Sequence, residues 1–132
     1  MSQFGSVPVD VLVSAVEKSV AKMDETELAS AFERELSIMP PDAQRVFIEA
    51  TFDAFRERGE SSEDVAEEAG TTLDRIHSGD PAASSALLRY AAANAGAIKD
   101  ATVAFIEQRP DLAGALPASL RDAIARRLTA AP

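Results

Sequence analysis

The chain has no cysteine, no tryptophan, one histidine and one tyrosine in 132 residues. Without cysteine there is neither a disulfide framework nor a thiolate nucleophile. A single histidine cannot furnish the Glu-x-x-His pair from each of two helices that a di-iron bundle needs. Long apolar runs are missing too. The longest stretches without a charged residue are nine residues, as in Tyr90 to Ile98, whereas a membrane-spanning helix takes about 20. No basic segment followed by an apolar one opens the sequence, so no secretory leader is predicted. The expected location is cytoplasmic. Strand signals are absent: no sustained two-residue alternation occurs, and no Asn-Gly or Asp-Gly turn. The six glycines are scattered, which excludes a Gly-x-x-x-x-Gly-Lys phosphate loop and a Gly-x-Gly-x-x-Gly dinucleotide fingerprint. No Gly-x-Ser-x-Gly nucleophile elbow is present either.

What the chain does have is alanine, 26 of them, with only 5% aromatics. Alanine forms helices at no side-chain entropy cost, so this composition points to helices packed closely together. The length suits one domain, and a 46% hydrophobic fraction is enough for a core.

Periodicity and punctuation place the helices. Val9, Leu12, Val13, Val16, Val20 and Met23 recur at helical spacing after Pro8. Asp24 followed by Glu27 reads as a capping-box variant opening a second helix. Leu28, Ala31, Phe32, Leu36 and Met39 form its apolar side, and Pro40-Pro41 end it. A third helix is predicted over roughly 42–58, with Ile48, Phe52 and Phe55 on one stripe beside Phe47, and Val46, Ala50 and Ala54 on another. Two apolar stripes predict a helix with neighbours on both sides, at the middle of the core.

Ser61 or Ser62 caps a segment running to about His77, with Val65, Ala69, Leu73 and Ile76 inward. Gly70, Thr71 and Thr72 are poor helix residues, so this segment is either one kinked helix or two. Asp80-Pro81 starts another unit that reaches Gln108, either whole or divided at Asn94 and Gly96. Pro110 stops it, and a last helix follows Pro117 with Leu120, Ile124 and Leu128. The predicted architecture is an all-α compact bundle of five to seven helices without a sheet. It forms a single domain over 6–129, with frayed termini at 1–5 and 130–132.

The net charge of −9 is uneven. Residues 60–80 carry Arg75 against seven acids, and residues 81–132 carry six bases against four acids. An acidic whole repels phosphate backbones and anionic membrane surfaces, so neither nucleic acid nor a membrane is the expected partner. The acidic middle instead offers a face to a basic partner, or serves solubility alone.

The run Asp64-Val65-Ala66-Glu67-Glu68-Ala69-Gly70-Thr71-Thr72 resembles the first helix and turn of LacI-type repressors. That resemblance implies a helix-turn-helix centred on 62–79 and a transcription-related DNA-binding role. It departs from the family after Gly70, where Gly79 arrives about three residues too soon for a full recognition helix.

Chemistry-bearing constellations are few. Glu63 with Glu67, Asp64 with Glu68, and Asp74 with His77 sit at helical spacing, and a solvated acidic face accounts for them without a metal. Glu49 and Asp53, four apart on the phenylalanine-rich helix, are the best candidates for a carboxylate pair doing acid–base work, and they are expected on its exposed stripe. No catalytic residues, no metal and no cofactor are assigned. The leading expectation is a non-enzymatic protein–protein interaction module of adaptor, regulatory or immunity type. It would work through an acidic surface, Glu63, Asp64, Glu67 and Glu68, and an apolar helix face. Arg89 and Tyr90 are candidate anchors, since tyrosine and arginine favour interfaces; the competing place for Tyr90 is the core edge, its hydroxyl in water. Ala93 and Ala97, four apart, supply the small-residue stripe. The partner is another protein or a second copy in a homodimer. A helical bundle with an internal pocket, binding a small molecule or catalysing a reaction, is the further alternative.

Overall fold

In a computed structural model, residues 4, 7–94 and 96–130 are described, and these form eight α-helices and two short 3-10 turns. No strand occurs among them. The count exceeds the five to seven expected from sequence. The reason is local: two units whose division periodicity left open are both broken, at glycines with positive φ, Gly70 at +88° and Gly96 at +82°. A left-handed residue ends a helix, and glycine adopts it without a Cβ penalty.

Helix α1 is Val9–Lys22, following Pro8, and its Leu12, Val16 and Val20 point inward. Val9 and Val11 of its first turn stay exposed. Helix α2, Glu25–Glu35, is capped by Asp24, whose carboxylate accepts from the Thr26 and Glu27 amides at 3.1 and 3.3 Å. A 3-10 turn over Leu36–Ile38 leads to Pro40 and Pro41. Pro41 is the first residue of α3, Pro41–Glu57, where a missing N–H costs nothing.

Next come α4, Ser62–Glu68, and α5, Leu73–His77. Each starts on a hydroxyl cap. Ser61 accepts from the Asp64 amide and Thr72 from the Arg75 amide, both at 3.2 Å. The weak helix former Thr72 is thus an N-cap. Helix α6, Pro81–Ala93, begins on the Asp80 cap, and α7, Ala97–Gln108, begins at Gly96. A 3-10 turn over Pro110–Ala115 precedes α8, Ala118–Ala130.

Helices α3 and α7 form the central pair, α1 covers the far side of α7, and α8 lies against α1. Helix α6 packs along α2, while α4 and α5 close the edge between α3 and α6. Phe47 sits at the focus. Its ring stacks on Phe32 at 4.1 Å between centroids and meets Phe105 edge-on at 5.7 Å. All three are fully buried. Such pairs add about 0.5–1.5 kcal/mol each beyond area burial. Two buried hydroxyls, Thr51 and Thr102, donate to the carbonyls of Phe47 and Ile98 one turn back, at 2.9 and 2.8 Å. Phe4 is buried in the same core. Otherwise the frayed ends expected at 1–5 and 130–132 fall almost wholly outside the described residues.

The small-residue stripe expected along 81–108 is not one face. The break at Asn94–Gly96 separates Ala93, which is exposed, from Ala97, which is buried with Ala101 inside the domain. Among the described residues no helix is long and apolar enough to cross a membrane.

Candidate functional site

Helix α4 is amphipathic in the simplest way. Val65 and Ala66 are buried, and the remaining positions turn Glu63, Asp64, Glu67 and Glu68 to solvent. These acids do not behave alike. Glu63, Asp64 and Glu67 form no side-chain hydrogen bond or ion pair with any described residue. Glu68 is engaged: the Tyr90 hydroxyl donates to its carboxylate. The same hydroxyl lies 3.0 Å from Glu60, an acid that sequence reasoning did not single out. No local pattern marks Glu60, because the contact joins the loop before α4 to α6 across 30 residues.

Tyr90 is therefore a half-buried tie between α6 and the acidic edge, its ring against Phe55 at 5.1 Å. Hydrogen bonding to Glu68, then desolvation, then hydrogen bonding to Glu60 push the phenol well above its ordinary range. Both carboxylates favour the protonated phenol, because a phenolate would be a third negative charge beside them. Arg89, the neighbouring residue, points elsewhere. It is 76% exposed and pairs with Glu33 of α2 at 3.0 Å. The six residues singled out from sequence thus divide into three free acids on α4, a Glu68–Tyr90 contact, and an Arg89 pair on the α2 side.

A second cluster lies along α3 and α5. Arg56 pairs with Asp53 and lies 3.9 Å from Glu49, and His77 Nε2 sits 3.3 Å from Glu49 Oε1. Gln108 of α7 donates to Asp53 at 3.2 Å. The His77 ring meets Phe52 edge-on at 6.1 Å. Beside it runs a groove of about 420 Å³, walled by Gln44, Arg45, Ile48, Glu49 and His77. A base needs a nucleophile or an acid within reach to do chemistry. The adjacent Ser78 instead donates its hydroxyl to the Arg75 carbonyl at 2.9 Å, which turns it back on its own helix. Glu49 and Asp53 are half-exposed partners of Arg56, in keeping with the exposed stripe expected for them. Among the described residues no three metal-ligating side chains converge.

The segment resembling a repressor helix-turn-helix does fold as two helices around a turn. Its second helix, α5, has five residues, fewer than two turns. Its Arg75 is taken up by Asp80, with Nε at 2.9 Å and Nη2 at 2.6 Å from one carboxylate oxygen. That pair, then the Ala82 amide, hold the Asp80 carboxyl below its usual range. With the segment's one arginine paired and seven acids around it, little positive potential is left for phosphate.

The chain matches no known family model, no curated protein and no solved structure.

Proposed function

We propose that the chain is a non-enzymatic interaction module whose acidic α4 surface docks a basic face of another protein or of a second copy. One observation carries this reading. Glu63, Asp64 and Glu67 stand exposed on a short, rigidly capped helix, with no countercharge among the described residues. Six of the ten arginines are paired internally, and α4 gathers three unpaired acids within five residues, so an incoming cation meets concentrated negative charge there. Unpaired surface acids steer encounter and fix the orientation of a partner more than they raise raw affinity. Tyr90 has a supporting part here: by holding Glu60 and Glu68, it anchors the edge on which the free acids stand. Arg89, exposed beside it, forms the rim toward α2.

The test is charge reversal of the three free acids together, Glu63→Lys, Asp64→Lys and Glu67→Lys, leaving Glu68 alone so that the Tyr90 contact survives. Immobilised wild type should retain a partner that elutes with rising salt, and the variant should lose it. Sedimentation of the purified chain reads the homodimer arm in the same buffers. Retention of the same proteins by both forms, with the same salt profile and the same sedimentation, refutes the docking role. Retention of nonspecific DNA at low salt by the wild type would favour the helix-turn-helix reading instead.

A further inference from the structure

The Lys and Arg side chains without a partner among the described residues are Lys18, Lys22, Arg34, Arg126 and Arg127. All five gather on one side of the domain. Lys22, Arg126 and Arg127 line a groove of about 320 Å³ between α1 and α8. Lys18 stands one turn before Lys22 on the same face of α1. Arg34 lines a second groove of about 420 Å³, which shares Met23 with the first and reaches Ser119 at the start of α8. Glu27 is the one acid lining either groove. Helix C-termini favour cations, which accounts for Lys22, Arg34 and Arg127 one by one. It does not account for Lys18 or Arg126, nor for the gathering of all five in a chain of net charge −9.

The acids show the reverse. Glu63, Asp64 and Glu67 crowd the exposed face of α4. Helix α4 packs on α3, α5 and α6, whereas α1 and α8 pack on each other, with α7 beneath α1. The two patches sit on elements with different neighbours, so within one copy they do not neutralise each other.

We infer that the groove between α1 and α8 seats the α4 helix of a second copy, so that copies associate head to tail. This rests on the docking role of α4 and names its partner. Between the cations the groove wall is almost wholly apolar. A free anion finds no buried donor there, since the Ser19 hydroxyl is sealed beneath the wall. A protein surface suits the arrangement better, with apolar contact in the middle and charge pairs at a wet rim. Three acids within five residues meet three cations around one groove, and Lys18 and Arg34 extend the positive field beyond it. Charge matched in this way steers encounter and sets orientation, and the association it gives is salt-sensitive. Because the two patches differ, the contact is heterologous, and it closes into a ring or runs on as a chain.

Sedimentation of the full chain over a range of concentration and salt tests this. At low salt the mean mass should rise with concentration. The Debye length shortens from about 10 Å at 0.1 M salt to about 3 Å at 1 M, so association should weaken at least about tenfold between them. Two variants then reverse one patch each: Glu63→Lys, Asp64→Lys and Glu67→Lys on α4, and Lys22→Glu, Arg126→Glu and Arg127→Glu at the groove. All six positions are exposed or half-exposed. Each variant alone should stay monomeric. An equimolar mixture of the two should associate again, because the reversed α4 meets the reversed groove, and that recovery requires both variants to be folded. A wild type that is monomeric at low salt, an association indifferent to salt, or a mixture that fails to recover overturns the self-pairing. Should the wild type be monomeric while the α4 variant alone loses a salt-eluted partner, the self-pairing falls and the docking role stands. Association that survives reversal of α4 overturns both.

Discussion

Tyr90 offers a test that reads one side chain without a label. It is the chain's one tyrosine, and there is no tryptophan. Phenolate absorbance therefore reports its ionisation alone. An ordinary phenol ionises near pH ~10. In the fold the hydroxyl faces Glu68 and Glu60, and both raise its pKa. Folding thus favours the neutral phenol. The stability it contributes is complete below the unfolded phenol's ~10 and is lost as pH climbs through the higher folded value. The magnitude follows from the contacts. A hydrogen bond to a charged acceptor is worth about 1.5–3 kcal/mol when buried, and partial exposure of this one brings it to about 1 kcal/mol. Tyr90→Phe keeps the ring against Phe55 and removes only the hydroxyl. It should cost about 1 kcal/mol at neutral pH, a drop of roughly 3–5 °C in Tm for a domain of this size. Glu68→Gln should lower the phenol's midpoint, and a double-mutant cycle of the two changes should give a coupling of about 1 kcal/mol. A native phenol that titrates at its ordinary value, or a Tyr90→Phe variant as stable as wild type, refutes the reasoning.

Two further outcomes test the fold. Phe47→Ala should destabilise by about 3–5 kcal/mol, because it empties the space between Phe32 and Phe105, whereas Val11→Ala on the exposed turn of α1 should stay within about 0.5 kcal/mol in urea unfolding. Similar losses at both positions would contradict the core placement. The lowered Asp80 pKa is worth most above the unfolded carboxyl's ~3.9 and is lost as pH falls through the folded value. Asp80→Asn retains a good N-cap for α6 but not the charge facing Arg75. The variant's stability deficit should therefore shrink in acid, and a deficit independent of pH would rule out the ion pair as its source.

The class and most boundaries were legible in the chain because they rest on local chemistry. Asp24, Ser61 and Asp80 each precede a helix and cap it, as short polar side chains do wherever the first amides need an acceptor. Pro81 marks a first turn for the same local reason. The division of 62–77 and 81–108 was left open by the pattern, because a single glycine inside an apolar period is tolerated in a helix as readily as it ends one. The acids of α4 were found by charge and spacing. That Glu68 is bound while Glu63, Asp64 and Glu67 are free was not, since the Tyr90 hydroxyl reaches across 22 residues to make the difference.

Sequence alone thus determined that this chain is helical, apolar on the inner stripe of each helix and acidic around residue 64, because propensity, period and charge are properties of neighbours. Only the tertiary structure decided the rest. Glu25 reaches over 71 residues to the Gly96 amide at the start of α7, and Glu35 spans 83 to the Ala118 amide at the start of α8. The packing of α8 on α1 gathers Lys22, Arg126 and Arg127 along one groove. Such meetings depend on how helices pack against one another, and no spacing along the chain encodes that directly.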